Sequence, residues 1–315
     1  MKKIIIDTDP GQDDAIAILL ALASPNELEV IGITTVAGNV PLNLTTLNAL
    51  KILEVADKVN VPVFAGCDRP LRRKLVTAEH VHGATGLNGK QLPAPKIAIK
   101  EQHGVDFIIK SLRENESETI TLCPLGPLTN IASAMIKAPD IIDKIEQIVL
   151  MGGAYFEVGN VTPTAEFNIY VDPDAADIVM RSGVAITMLP LDVTHQVLTT
   201  EKRMKRFANL GNEAGKIIAS WVSFFEIFDE EKYGSDGAPL HDPCVIAYLL
   251  KPELFKGRKV NLQIETQSKL TLGMSVADYW GVTSEKTHPR NVMFIRDVNA
   301  NGFYDLLTKR LALLP

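Results

Sequence analysis

The chain has 315 residues with 38 acidic and 32 basic side chains, a net charge of −6 at pH 7 and 46% hydrophobic residues. That balance excludes a disordered or fibrous protein and disfavours broad binding to nucleic acid or anionic membranes. Three scattered cysteines, Cys67, Cys123 and Cys244, form no CxxC pair, which excludes a disulfide framework and a thiolate zinc site and suits a reducing compartment.

In chain order, short β-branched runs alternate with helical patterns. Lys3–Asp7, Leu28–Val36, Thr119–Cys123, Gln147–Met151 and Ala185–Leu189 predict buried strands. Asp13–Ser24, Asn43–Asp57, Leu128–Lys137 and Pro173–Ser182 predict helices, the second with an apolar stripe at Leu44, Leu47, Leu50 and Leu53. Thr200–Leu250 reads mainly as helices around a loop at Tyr233–Leu240. Strand runs return at Val260–Thr266 and Val292–Val298, and a last helix covers Gly302–Leu314. This alternation predicts an α/β fold, a mainly parallel central sheet flanked by helices, in one compact domain spanning residues 1–315. The longest apolar run, Ala15 to Ala23, is too short to span a bilayer, and the N-terminus lacks a secretory core. A soluble, cytoplasmic protein is expected.

In parallel sheets ligands bind beyond the carboxyl ends of the strands. Immediately after the first strand, Asp7-Thr8-Asp9-Pro10-Gly11-Gln12-Asp13-Asp14 places four carboxylates within eight residues. A Pro-Gly turn with helix-capping aspartates explains one or two of them. Four together repel unless protons or a cation compensate, and oxygen-only donors suit Ca²⁺ or Mg²⁺. An EF-hand fails, because Gln12 and Ile18 stand where its Gly and Glu belong. The Asp7-x-Asp9 pair partly resembles the aspartyl-phosphate phosphatases of the haloacid dehalogenase type, but Pro10-Gly11 departs from their pattern. No P-loop and no Rossmann glycine motif is present.

The acidic segment closely resembles the N-terminal motif of the inosine–uridine-preferring nucleoside hydrolases. Further segments resemble that family in the expected order: Val36-Ala37-Gly38-Asn39, Val81-His82-Gly83, Gly126-Pro127-Leu128-Thr129-Asn130, Met151-Gly152-Gly153, Asn160 through Asn168, and His241-Asp242-Pro243. The overall look is most similar to bacterial pyrimidine-specific ribonucleoside hydrolases. The resemblance implies a Rossmann-like nucleoside hydrolase fold and Ca²⁺-dependent cleavage of uridine or cytidine, with inosine a further candidate, to ribose and free base. It implies Asp9 as water-activating base and Ca²⁺ ligand, with Asp14, Asp242 and the carbonyl of Leu125 as further ligands. Asp13, Asn39, Asn160, Glu166 and Asn168 are then expected around the ribose or nucleoside. His241 is expected to assist the leaving group, and His82 to act beside it from a mobile loop. Phe167 and Tyr233 are candidates to flank the base. A homotetramer or dimer, and a role in nucleoside salvage, follow from the resemblance alone.

Several residues carry a second reading. Asp242-Pro243 and Asp172-Pro173 both look like helix N-caps; Asp172 is expected to cap only, and Asp242 to cap and bind metal. In an extended segment, Glu166 and Asn168 share one face. His80-x-His82 is half a zinc site without a second half. His103, His195 and His288 receive no role, Phe228 is expected to pack in the core, and Trp221 and Trp280 remain unassigned. The competing functions are a divalent-metal phosphohydrolase built on the same aspartates and a nucleoside- or sugar-binding protein without turnover.

Overall fold

The computed structural model describes the backbone of residues 1–233, 237–283 and 286–315, and all of their side chains except those of 225–233. Tyr233 and Phe228 therefore lie, as side chains, outside the described residues. The main strands are β1 (Lys2–Thr8), β2 (Leu28–Thr35), β3 (Val63–Ala65), β4 (Ile120–Pro124), β5 (Ile145–Met151) and β6 (Ile186–Leu189). A short ribbon, β7 (Leu198–Thr199) with β8 (Ala238–Pro239), precedes β9 (Phe255–Ile264), β10 (Ser275–Asp278) and β11 (Val292–Val298). The nine-stranded sheet runs β10-β9-β11-β6-β5-β4-β1-β2-β3. Every neighbour pair from β11 to β3 is parallel; β9 runs antiparallel to both β10 and β11.

Alternation along β1 builds the layers. Ile4 and Ile6 join the core on one face of the sheet, whereas Ile5 joins the core on the other. The helix Gln12–Leu22, whose sequence is apolar almost all round, is buried at every residue. It packs beside the helix Pro243–Leu250. The chain moves from β1 outward to β2 and β3, then returns to place β4 on the other side of β1. The crevice between β1 and β4 is thus a topological switch point, where ligands bind in open α/β sheets.

Three expectations are corrected. Glu166-Phe167-Asn168 is not extended: Glu166 is the N-cap of a short helix, Phe167–Val171, because its carboxylate accepts the free N–H groups of that helix's first turn. The helix Leu42–Val55 does not bury a pure leucine stripe. Thr45, Thr46 and Asn48 are buried while Leu44 and Leu47 stay partly exposed, because that face meets polar backbone and side chains near the crevice. Finally, His82 closes a helical turn, Glu79–His82, capped by Gly83 at φ +79°, a conformation that favours glycine.

Candidate active site

The acidic segment leaves β1 at the switch point and enters the buried helix at Gln12. Its carboxylates are buried, and Asp7, Asp9 and Asp14 are held by specific donors. Asp9 Oδ2 accepts the main-chain N–H of Asn39 at 2.7 Å, and Asp9 Oδ1 is buried with no hydrogen-bond partner among the described residues. Gly38 and Gly126 flank this carboxylate so closely that a Cβ on either would overlap it. Asp14 accepts from the Thr8 hydroxyl, the Gly11 N–H at 3.0 Å and the Asn39 side-chain amide at 3.2 Å. Behind them, Asp7 accepts from Thr34 and from Asn130 at 2.7 Å.

Asp242 arrives from the start of Pro243–Leu250, whose packing against Gln12–Leu22 brings two helix N-termini together. Asp242 makes no cap hydrogen bond and has helical backbone angles, so its expected capping role is absent. Asp172 by contrast does cap, accepting from Ala175 at 3.1 Å, and also ties down Leu71 and Thr129. The same dipeptide serves two ends: Asp172 satisfies its own helix, and Asp242 turns towards the other acids.

One carboxylate oxygen each from Asp13, Asp14 and Asp242 lies within 4.8 Å of the others. Burial raises the pKa of Asp242 well above the carboxylate range, and the charges of Asp13, Asp14 and Asp9 raise it further. Asp9 is likewise raised, by burial first and then by Asp14. Asp14 is raised by burial, and hydrogen bonds including one shared with Asp242 pull it back. This surplus of buried, oxygen-only donors fits a hard divalent cation, which would take the place of protons. The compact trio contains Asp13, expected at the ribose, and Asp9 stands just outside it. The Leu125 carbonyl, at the end of β4, accepts from Asn168 Nδ2 at 2.7 Å.

Above the acids lies a cavity of about 510 Å³. Asp13, Asn39, Asn160, Glu166, Phe167, Asn168, His82, His241 and Asp242 all line it, so the structure brings these sequence-expected residues together. Glu166 is anchored locally: both oxygens take main-chain N–H groups, from Gly153 at 2.9 Å, Asn168 at 2.8 Å and Ile169 at 3.2 Å, which leaves acceptor capacity on the carboxylate. Even so, burial raises its pKa. Asn160 Oδ1 accepts the Phe167 N–H at 2.9 Å.

Burial favours the neutral form of both histidines. Burial pushes His82 down to about 3, with His80 adding to the effect. Burial likewise lowers His241 well below the usual range, helped by His195 and His82. Thr194 Oγ1 lies 2.8 Å from His241 Nδ1. Sequence reasoning missed His195, which lines the cavity with its ring 5.8 Å from that of His241 and its Nδ1 3.3 Å from Glu157. Its place just after β6, at the carboxyl edge of the sheet, was the available signal. It also missed Gln12, Thr8 and Asn130. The last ties Asp7, the Thr35 carbonyl at 3.0 Å and the Cys67 N–H at 2.8 Å into one network.

Comparison with known proteins agrees over the whole chain. The family model described as inosine-uridine preferring nucleoside hydrolase matches residues 4–305. The pyrimidine-specific ribonucleoside hydrolase RihA of Photobacterium profundum is 47% identical over 312 residues, covering 99% of each chain. An uncharacterized protein of Schizosaccharomyces pombe is 55% identical over 313 residues, covering 99% of this chain and all of its own. Among solved structures, a purine-preferring ribonucleoside hydrolase from Gardnerella vaginalis superposes with a TM-score of 0.91 at 35% identity, covering 99% of this chain and 98% of that one.

Proposed function

From the premise that this chain belongs to the inosine-uridine preferring nucleoside hydrolase family and is a nucleoside hydrolase, we propose that it cleaves pyrimidine ribonucleosides, uridine and cytidine foremost, with Ca²⁺ held by Asp9, Asp14, Asp242 and the Leu125 carbonyl. Family membership sets aside the phosphohydrolase and the binding-protein readings. The observation that carries the proposal is the stack of buried carboxylates at the β1/β4 crevice beneath a cavity lined by amides and neutral histidines. Likeness to a relative named pyrimidine-specific supports the choice of base.

The chemistry follows from the groups present. A cation held by Asp9, Asp14, Asp242 and the Leu125 carbonyl would neutralise the cluster and would lower the pKa of a water beside it. Asp9 takes that water's proton on Oδ1, the oxygen left without a partner among the described residues. The water oxygen bonds to C1′ as the C1′–N bond breaks, and the bonding pair leaves with the base nitrogen. Asp13, Asn39 and Asn168, with Asn160 and Glu166, hold the ribose so that its oxocarbenium character develops against fixed dipoles. His241 assists the departing base by hydrogen bonding from a neutral ring, since its burial disfavours the imidazolium. His82 acts at the same nucleoside, and Tyr233 is the further candidate to flank the base. We also propose that residues 1–315 function as one domain, within a homotetramer or dimer serving nucleoside salvage in the cytoplasm. Among the described residues no helix is long and apolar enough to cross a membrane.

The test is ribose release from uridine, cytidine, inosine and adenosine, without added phosphate, by chelator-stripped enzyme and again after Ca²⁺ is restored. Release from uridine and cytidine that vanishes on stripping and returns with Ca²⁺ is the expected result. Purine nucleosides turned over faster would overturn the base preference, and full activity after stripping would overturn the metal role.

A further inference from the structure

Gln12 is buried in the first helical turn beside Asp13 and Asp14, yet its side chain turns away from the acids and into the segment carrying His82. Nε2 donates to the main-chain carbonyls of His82 at 3.1 Å and Asn88 at 3.2 Å. With the amide nitrogen so committed, Oε1 is the atom facing His82 Nδ1 at 2.7 Å, and an amide oxygen only accepts. Nδ1 must therefore carry the proton. A neutral imidazole has one N–H, so Nε2 is its acceptor nitrogen. The ring also packs against Gly11, where any Cβ would overlap it, so its position is fixed from two sides. Asn48, donating to the Pro10 carbonyl at 3.0 Å and the Thr85 carbonyl at 2.7 Å, pins the same segment from behind.

We propose that Gln12 is a positioning residue for nucleoside hydrolysis: it holds His82 in the Nδ1–H tautomer, so that His82 meets the nucleoside as a hydrogen-bond acceptor. The proposal rests on the reading that His82 acts at the nucleoside. It commits the partner of Nε2 to a donor, a ribose hydroxyl or a base N–H, and excludes a base carbonyl.

The experiment uses Ca²⁺-loaded full-length protein with ¹⁵N-labelled histidine, assigned by comparison with His82→Ala. The expected spectrum has a protonated, pyrrole-type Nδ1 and a pyridine-type Nε2 at His82. The reverse pattern in the unaltered protein overturns the proposal whatever the variants do. Gln12→Met, near in volume, is expected to shift the pair towards Nε2–H. It should also lower kcat/KM for the preferred nucleoside by about 10-fold to 100-fold, as a misplaced group does. That loss should disappear when His82 is already alanine. A loss of equal size in both backgrounds, or an unchanged nitrogen spectrum in Gln12→Met, assigns Gln12 to general structure and overturns the proposal. Absence of ribose release by the unaltered enzyme instead sinks the proposed function, and the nitrogen spectrum still decides whether Gln12 sets the tautomer.

Discussion

Asn39 grips Asp9 twice from the end of the neighbouring strand: its main-chain N–H donates to Oδ2 at 2.7 Å, and its side-chain amide donates to the Asp9 carbonyl at 3.1 Å. One oxygen of the carboxylate is thereby committed and the other is aimed, with glycine on both sides to admit it. Asp9→Ala should lower kcat by at least ~10²-fold, because a base and a proposed metal ligand vanish together. Turnover near that of the unaltered enzyme would refute the role.

Gly126→Ala offers a gentler probe of the same geometry. The added methyl group overlaps Asp9 Oδ1, so it must displace the carboxylate, although the substitution removes no polar group. We expect kcat to fall by about 10²-fold, the scale of a misplaced catalytic group, with far-ultraviolet circular dichroism unchanged. Wild-type kcat would mean that Asp9 does not need its observed position.

Asp7 offers a measurement of stability against pH. Burial pushes its carboxyl up to about 7, against the hydrogen bonds from Asn130 and Thr34 that lower it. In the cation-free folded protein Asp7 keeps its proton across a window from about pH 4 to 7, where the unfolded chain has released it. The folded state then binds more protons, so stability declines as pH rises through that window. Asp7→Asn removes this contribution, bounded by about 4 kcal/mol, and should flatten the slope of urea-denaturation free energy in chelator-treated protein. Parallel slopes for the two proteins would show that Asp7 titrates normally.

Cation binding should stabilise as well as activate. The acid cluster is costly while protons alone compensate it, so Ca²⁺ at 100 times its Kd should add about 2.7 kcal/mol, seen as a rise in Tm. Asp242→Asn should abolish most of that rise. A rise left intact in that variant would place the ion elsewhere.

His241→Ala tests assistance to the leaving group. Natural nucleosides should lose much more turnover than a p-nitrophenyl riboside, whose leaving group departs without a proton. Equal losses would assign His241 to substrate positioning.

Legibility in the sequence followed segment length and locality. β1, β2 and β5 announce themselves as apolar runs, and the acids after β1 stand out because so many carboxylates crowd one turn. β3 is three residues long, too short for periodicity to register, and the helix Gly104–Glu114 went unread although it is amphipathic. Glu166 misled because an N-cap residue does have extended angles; the helix begins one residue later. The opposite behaviour of Asp172 and Asp242 was invisible for a different reason. It depends on which helix lies alongside, a long-range fact that no dipeptide encodes. Gln12 and His195 were missed because their partners, His82 and Glu157, lie 70 and 38 positions away.

The all-round burial of Gln12–Leu22 divides the pocket into two mechanical regimes. Asp13 and Asp14 ride on a helix that cannot shift without disturbing the centre of the core, so their geometry is as stiff as the scaffold. His82 and His241 sit on a short turn and just ahead of a helix, outside that apolar core, where main-chain and side-chain hydrogen bonds to neighbouring segments hold them. A variant library confined to residues 78–89 and 194–196 would therefore explore new bases against an unchanging sugar grip, whereas changes within 12–22 would threaten folding before they altered selectivity.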